Sequence, residues 1–401
     1  MHSTRKVTED LIYVGGSDRR LSRFENLFPI PRGVSYNSYV LLDEKTVVMD
    51  TADDSISRQY LENVTYALGG RALDYLVVQH MEPDHCAMID VLLRRYPDAK
   101  LVCSAKALSM LNQFYGLDAK ERALVVAEGD KLSTGRHTLH FIMAPMVHWP
   151  EVMVTYDEVS RILFSADAFG TFGALAGNIF DDEISFDNIW MNDARRYYTN
   201  IVGKYGAQVQ MLLKKASALD IEMICPLHGP IWRSNLGLML EKYQKWSTYE
   251  PEDKAVMIAY ASMYGNTENA ANVLACMLAE RGVKNIAMYD VSETDVSELV
   301  AESFRCSHLV LAAPTYNGGL YPRMESFLAD VKALSLQKRT VALLENGTWA
   351  PVAAKHMRTV VDSMKDITVL DGAIAIKSAP TDNQLTAFEA LADEIAAQIG
   401  A

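Results

Sequence analysis

The sequence predicts an α/β protein of two domains, the second of them a doubly wound parallel sheet. Three observations carry this expectation. At 401 residues the chain exceeds the size at which one hydrophobic core keeps growing, so two domains are expected. A polar, acidic stretch from Trp246 to Lys254, containing Pro251, separates a helical pattern from a strongly apolar run and marks the boundary. Beyond it, apolar runs at about 255–260, 284–290, 307–313, 339–345 and 367–374 alternate with helical patterns, as parallel strands joined by crossover helices do. The expected domains are 1–250 and 254–401.

Before the boundary, short β-rich segments dominate and helices interrupt them. Val34 to Leu42 and Thr46 to Asp50 flank the turn Asp43-Glu44-Lys45 and read as a hairpin. Composition fits compact domains: apolar residues make up 49% and charged residues 22%, with mean hydropathy −0.01. The longest apolar stretches, such as Val256 to Ala261, are strand-sized, far short of the roughly 20 residues of a bilayer helix. The polar N-terminus carries Thr8, Glu9 and Asp10 where a secretory apolar region would begin. Neither a membrane nor secretion is expected. Five widely spaced cysteines, Cys86, Cys103, Cys225, Cys276 and Cys306, argue against a disulfide framework and for a reducing cytoplasm. A net charge of −13 without clustered Lys and Arg disfavours nucleic acid as a partner.

The chemistry begins after the apolar run Leu76-Val77-Val78. There Gln79-His80-Met81-Glu82-Pro83-Asp84-His85 sets His80, Glu82, Asp84 and His85 close together. Pro83 disfavours a regular helix, so the segment reads as a strand-end loop whose side chains converge. Three further apolar strands end in a metal-capable residue: His148 in LHFIMAPMVHWP, Asp167 in RILFSADAFG and His228 in EMICPLHGP. If these strands share one sheet and one direction, all of these groups meet at one edge. Packing alone does not explain that convergence.

With 62, 18 and 60 residues lying between His85, His148, Asp167 and His228 in turn, the chain resembles the metallo-β-lactamase-like domain of flavodiiron proteins, an αββα fold. The resemblance implies that His80, Glu82 and His148 hold one iron, that Asp84, His85 and His228 hold the other, and that Asp167 bridges them. His85 either ligates directly or orients another ligand while water takes its place. Hydrolases of the related superfamily carry a second His where this chain has Glu82. A hard carboxylate among imidazoles, without thiolate, favours iron over zinc through geometry and supply. Tyr197 or Tyr198, in RRYYTNIV, is a candidate hydrogen-bond donor near bound ligand.

In the second domain the strand ending at Tyr260 is followed by Ser262, Met263, Tyr264, Gly265, Asn266 and Thr267, and then an amphipathic helix. Small polar residues around a glycine, at a helix N-terminus, make a phosphate cradle. Two more loops fall at strand ends: Pro314, Thr315, Tyr316, Asn317 and Gly318, then Asn346, Gly347, Thr348 and Trp349. Together they resemble the FMN site of flavodoxins, with strand order 2-1-3-4-5 and with Tyr316 and Trp349 against the isoalloxazine ring. The third loop departs from the G-S-x-G-W that many family members carry.

The resemblance spans nearly the whole chain. It implies an oxygen or nitric oxide reductase that passes electrons from FMN to two non-haem irons, reducing O2 to water or NO to N2O. FMNH2 and two Fe(II) together store the four electrons that O2 needs. An external donor, such as rubredoxin or a reduced deazaflavin, and a head-to-tail homodimer or dimer of dimers belong to the same expectation. The alternatives are a metallohydrolase fused to a flavodoxin-like domain, and a flavodoxin-type carrier with an inactive metal domain.

Overall fold

Runs of β-branched and aromatic residues form the strands of the N-terminal part, and the direction of each strand follows from its connection. The computed structural model describes residues 1–400, in two compact units. One comprises Met1–Tyr198 and Ala207–Gln244; the other comprises Thr199–Gly206 and everything from Lys245 onward.

The first unit contains a seven-stranded sheet in the order Arg5–Lys6, Leu11–Tyr13, Tyr39–Leu42, Thr46–Met49, Tyr75–Val78, Lys100–Ser104, Ala123–Val126. The first four are antiparallel neighbours. The last four run parallel, which requires crossovers; helices Ser57–Leu68, Ile89–Arg95 and Ala105–Tyr115 occupy them. A five-stranded sheet follows: Lys131–Ser133, Thr138–Met143, Met153–Asp157, Ile162–Phe164 and Met223–Cys225. Its strands are antiparallel except the last pair. Tyr39 of the first sheet meets Phe164 of the second edge to face, with ring centroids 5.6 Å apart.

The expected hairpin is present between Tyr39–Leu42 and Thr46–Met49, but the long strand expected over Val34 to Leu42 is broken. Val34–Tyr36 pairs instead with Gly16–Asp18. Asn37 makes the break: its backbone N–H donates to Leu227 O, and its amide donates to Pro226 O and Gly229 O. These bonds tie the interruption to the loop that carries His228.

The second unit is a parallel sheet in the order Ile286–Asp290, Asp253–Tyr260, Cys306–Tyr316, Arg339–Asn346, Ile367–Val369, which is 2-1-3-4-5. The expected fifth strand is two pieces: Ile374–Ile376 pairs with the far end of Arg339–Asn346, after Gly372 turns the chain at φ +78°. Both faces are covered, as parallel sheets require. In the first strand Met257 and Ala259 enter one core while Val256 and Ile258 enter the other, so the run is apolar throughout rather than alternating. Arg339 is buried with no carboxylate partner among the described residues; its guanidinium donates to the carbonyls of Tyr249, Ser303, Phe304, Gln337 and Lys338.

Among the described residues, no helix is long and apolar enough to cross a membrane.

Candidate metal centre and flavin site

The ligand segments do not lie at the edge of one sheet, as the sequence suggested. His80 follows Tyr75–Val78 of the seven-stranded sheet, whereas His148, Asp167 and His228 follow Thr138–Met143, Ile162–Phe164 and Met223–Cys225 of the five-stranded one. The side chains meet where the ends of the two layers come together. Pro83 also acts differently from expectation. It opens a helical turn, Pro83–Cys86, with Glu82 at the N-cap, because proline fits the first helical position, where no N–H is needed. That turn carries Asp84 and His85.

All seven expected metal ligands are brought together, in two sets. In the first, His80 Nε2 lies 3.2 Å from both Glu82 Oε2 and Asp167 Oδ2. His148 Nε2 lies 3.1 and 3.0 Å from the same two oxygens. Donors so spaced surround a point roughly 2 Å from each, the bond length of first-row ions to N and O. In the second set, His85 Nε2 and His228 Nε2 face each other at 3.0 Å, and each lies 3.3 Å from Asp84 Oδ2. Asp167 Oδ1 is 3.3 Å from His85 and 3.7 Å from His228. Asp167 therefore turns one oxygen to each set.

The electrostatics are those of a cation site. Three carboxylates are buried together, a costly arrangement without compensating positive charge. Burial, with the charges of Glu82 and Asp167, pushes Asp84 up to about 8. Burial opposes the charged form of His148, yet Asp167 and Glu82 outweigh it and raise His148 to about 9. Desolvation likewise disfavours ionised Glu82 and Asp167, but the neighbouring imidazoles hold both below the usual carboxylate range. Protons thus supply the positive charge in the metal-free protein. Both oxygens of Asp84 and Oδ1 of Asp167 are buried without a hydrogen-bond partner, and metal ions would satisfy them.

The two tyrosines separate. Tyr197 is buried within 5.5 Å of His228, ring to ring, and its hydroxyl has no partner. Burial and then the charge of Asp167 push its pKa up, so it stays a donor. Tyr198 packs against Tyr243, with centroids 4.9 Å apart. Two acidic residues went unread in the sequence. Glu151 accepts from His80 Nδ1. Glu25, an exposed residue in a tight turn with φ +49°, has its carboxyl raised to about 7 by partial burial of that group and then by the charge of Glu82. Glu151 lies three residues past His148, a proximity that was visible; nothing local marks Glu25.

In the second unit, the three expected loops line a cleft of about 490 Å³, with every named residue except Gly265 on its wall and with Ala350 and Ser378 added. Gly265, at φ +84°, starts helix Asn266–Glu280, which no side chain caps, so N–H groups of its first turn are open to an anion. Ser262 Oγ is buried there without a partner. Asn346 joins the first and third loops, donating to Thr267 Oγ1 at 3.3 Å and to Ser378 O at 3.0 Å. Tyr264 and Trp349 stand at the rim, each 90% exposed. The cradle fits a flavin phosphate, and the aromatic rim fits a ring.

Residues 34–229 match the family model described as ODP family beta lactamase, and residues 258–361 the one described as Flavodoxin. An uncharacterized protein of Methanocaldococcus jannaschii is 32% identical over 95% of both chains. The nitric oxide reductase of Moorella thermoacetica is 28% identical over 98% of both. Rubredoxin oxygen:oxidoreductase from Desulfovibrio gigas superposes with a TM-score of 0.90 at 27% identity, covering 99% of this chain and 98% of that one. The flavodiiron protein of Giardia intestinalis gives 0.92 at 26%, covering 99% and 97%. A β-lactamase-type domain with a buried His and carboxylate cluster, joined to a flavodoxin domain, defines a class of two-domain metal and flavin proteins. Within that class, the chain belongs to the flavodiiron protein family.

Proposed function

We propose that this protein is an oxidoreductase that takes electrons onto FMN from an external donor and uses a non-haem diiron centre to reduce O2 to water or NO to N2O. The observation that carries the reading is Asp167, which turns one oxygen to each of two sets of imidazole and carboxylate groups. In this reading His80, Glu82 and His148 hold one iron, Asp84, His85 and His228 the other, and Asp167 both. Bound iron and FMN supply the electrons and the open coordination that gas reduction needs.

The chain's own residues supply the setting. Burial of the cluster keeps bulk water from it, and the Tyr197 hydroxyl, buried beside His228 without a partner among the described residues, is a donor for a ligand bound there. The names of the relatives support NO and O2 as substrates and a rubredoxin-type donor. A homodimer belongs to the same reading, and light scattering checks it. Glu82, where the hydrolases of the related superfamily place a histidine, weighs against a hydrolase.

The test is anaerobic reduction of iron-loaded, FMN-loaded protein, then mixing with O2 or NO while following flavin reoxidation and products. Fast reoxidation yielding water or N2O is expected, and the two rates rank the gases. Slow reoxidation yielding peroxide, with no NO consumption, sinks the proposal.

A further inference from the structure

Glu151 belongs to neither ligand set, yet its side chain is buried as deeply as theirs, with the residue 2% exposed. Its Oε1 lies 2.8 Å from His80 Nδ1 and accepts the Met81 backbone N–H at 2.9 Å. A carboxylate oxygen that already faces one donor makes Nδ1 the protonated nitrogen of a neutral His80 ring. The lone pair then sits on Nε2, the atom that faces Glu82 and Asp167. Glu151 also rides on the turn that carries His148, and its carbonyl accepts from Ser104 Oγ at 3.0 Å. One residue therefore joins the His80 segment, the His148 turn and the end of strand Lys100–Ser104.

The imidazoles of the other set are held differently. His228 Nδ1 donates to a neutral backbone carbonyl, Ser35 O, at 2.7 Å, and His85 Nδ1 has no partner. An anionic acceptor on the far N–H raises the basicity of the ligating nitrogen and fixes its ring, whereas a neutral acceptor does less and no acceptor does neither. The two metal positions are thus unequal before any ion arrives.

We propose that Glu151 is a positioning residue that makes the position formed by His80, Glu82 and His148 the tighter of the two, without touching the ion. This deepens the diiron reading and rests on it. E151Q keeps the shape and the Oε1 acceptor for Met81 and removes the charge, while placing an amide NH2 where Oε2 is buried without a partner among the described residues; a weakening confined to one iron step is therefore what separates a positioning role from a merely structural one.

The test uses the full chain with FMN bound, stripped of metal and titrated anaerobically with Fe(II) against a competing chelator. The wild type takes up two irons in two resolved steps. In E151Q the tighter step weakens about 10- to 100-fold, while the second step and the flavin content stay as in the wild type. Two unchanged steps, or two steps weakened in parallel, overturn the inference. A wild type that takes up no iron pair instead overturns the diiron reading itself. A second measurement is independent of any variant: 15N NMR of the metal-free wild type, followed upward in pH until the His80 ring is neutral, shows the remaining proton on Nδ1, and a remaining proton on Nε2 refutes the proposal.

Discussion

Replacing Asp167 by asparagine removes one charge from the point where both ligand sets meet. Asp167 is fully buried, and four imidazoles lie within reach: His148 at 3.0 Å, His80 at 3.2 Å, His85 at 3.3 Å and His228 at 3.7 Å. Asparagine keeps the shape, but one oxygen becomes an NH2 group that cannot face a cation. Removing one partner from a buried charge cluster costs about 3–5 kcal/mol, which is roughly two to four decades in a binding constant. Because the two oxygens face different sets, both iron-binding steps should weaken and gas reduction should be lost. H228A should weaken one step only. Anaerobic Fe(II) titration against a chelator, with flavin content as the control for folding, reads both variants. If D167N leaves either step at its wild-type affinity, the shared-carboxylate reasoning is wrong.

The remaining expectations concern pH, backbone and core. In the metal-free protein near pH 7, Asp84 at about 8 and His148 at about 9 still hold protons, and a metal must displace them. Apparent metal affinity should therefore rise as pH rises from 7 toward 9, with proton release seen by an indicator dye; pH-independent affinity would contradict the assignment. Gly229 sits at φ +75°, and an added Cβ would lie 2.1 Å from Thr171 Oγ1 and 3.2 Å from Thr171 N. G229A should cost about 2–4 kcal/mol and displace the adjacent His228, so calorimetry and iron content should fall together. R339L leaves the buried carbonyls of Tyr249, Ser303 and Phe304 without their donor and should destabilise the FMN-binding unit by about 3–5 kcal/mol, read as a lower midpoint of flavin release on heating.

Local grammar made much of this protein legible. Each candidate ligand segment begins just past an apolar strand, a placement that depends only on neighbours in the chain, so His80, His148, Asp167 and His228 could be picked out one by one. The strand runs of the second unit were readable because both faces of a parallel sheet are covered. What escaped was set by distance in space. Nothing near Val34 to Leu42 announces that Asn37 will bond to the carbonyls of Pro226 and Gly229 and break the strand. Which sheet a strand joins is a long-range pairing, so the division of the ligands between two layers was not visible. Glu25 comes under the charge of Glu82 only through the fold, and Ser378 joins the flavin cleft through a partner thirty-two positions away in the chain.

The scattering of the ligands over two sheets also bears on how the protein is made in a cell. His80 and His228, on different layers, are drawn together only after both sheets have formed, and contacts between such remote segments are late events in folding. Nascent chain emerging from a ribosome offers the pair of positions to no ion; the finished fold does. Metal identity is then decided by what the surroundings supply at that moment, since preference among divalent ions at nitrogen and oxygen donors is not intrinsically for iron. Protein produced in zinc-rich medium should emerge folded, flavin-loaded and mismetallated, and iron supplementation during expression becomes a condition of obtaining active material.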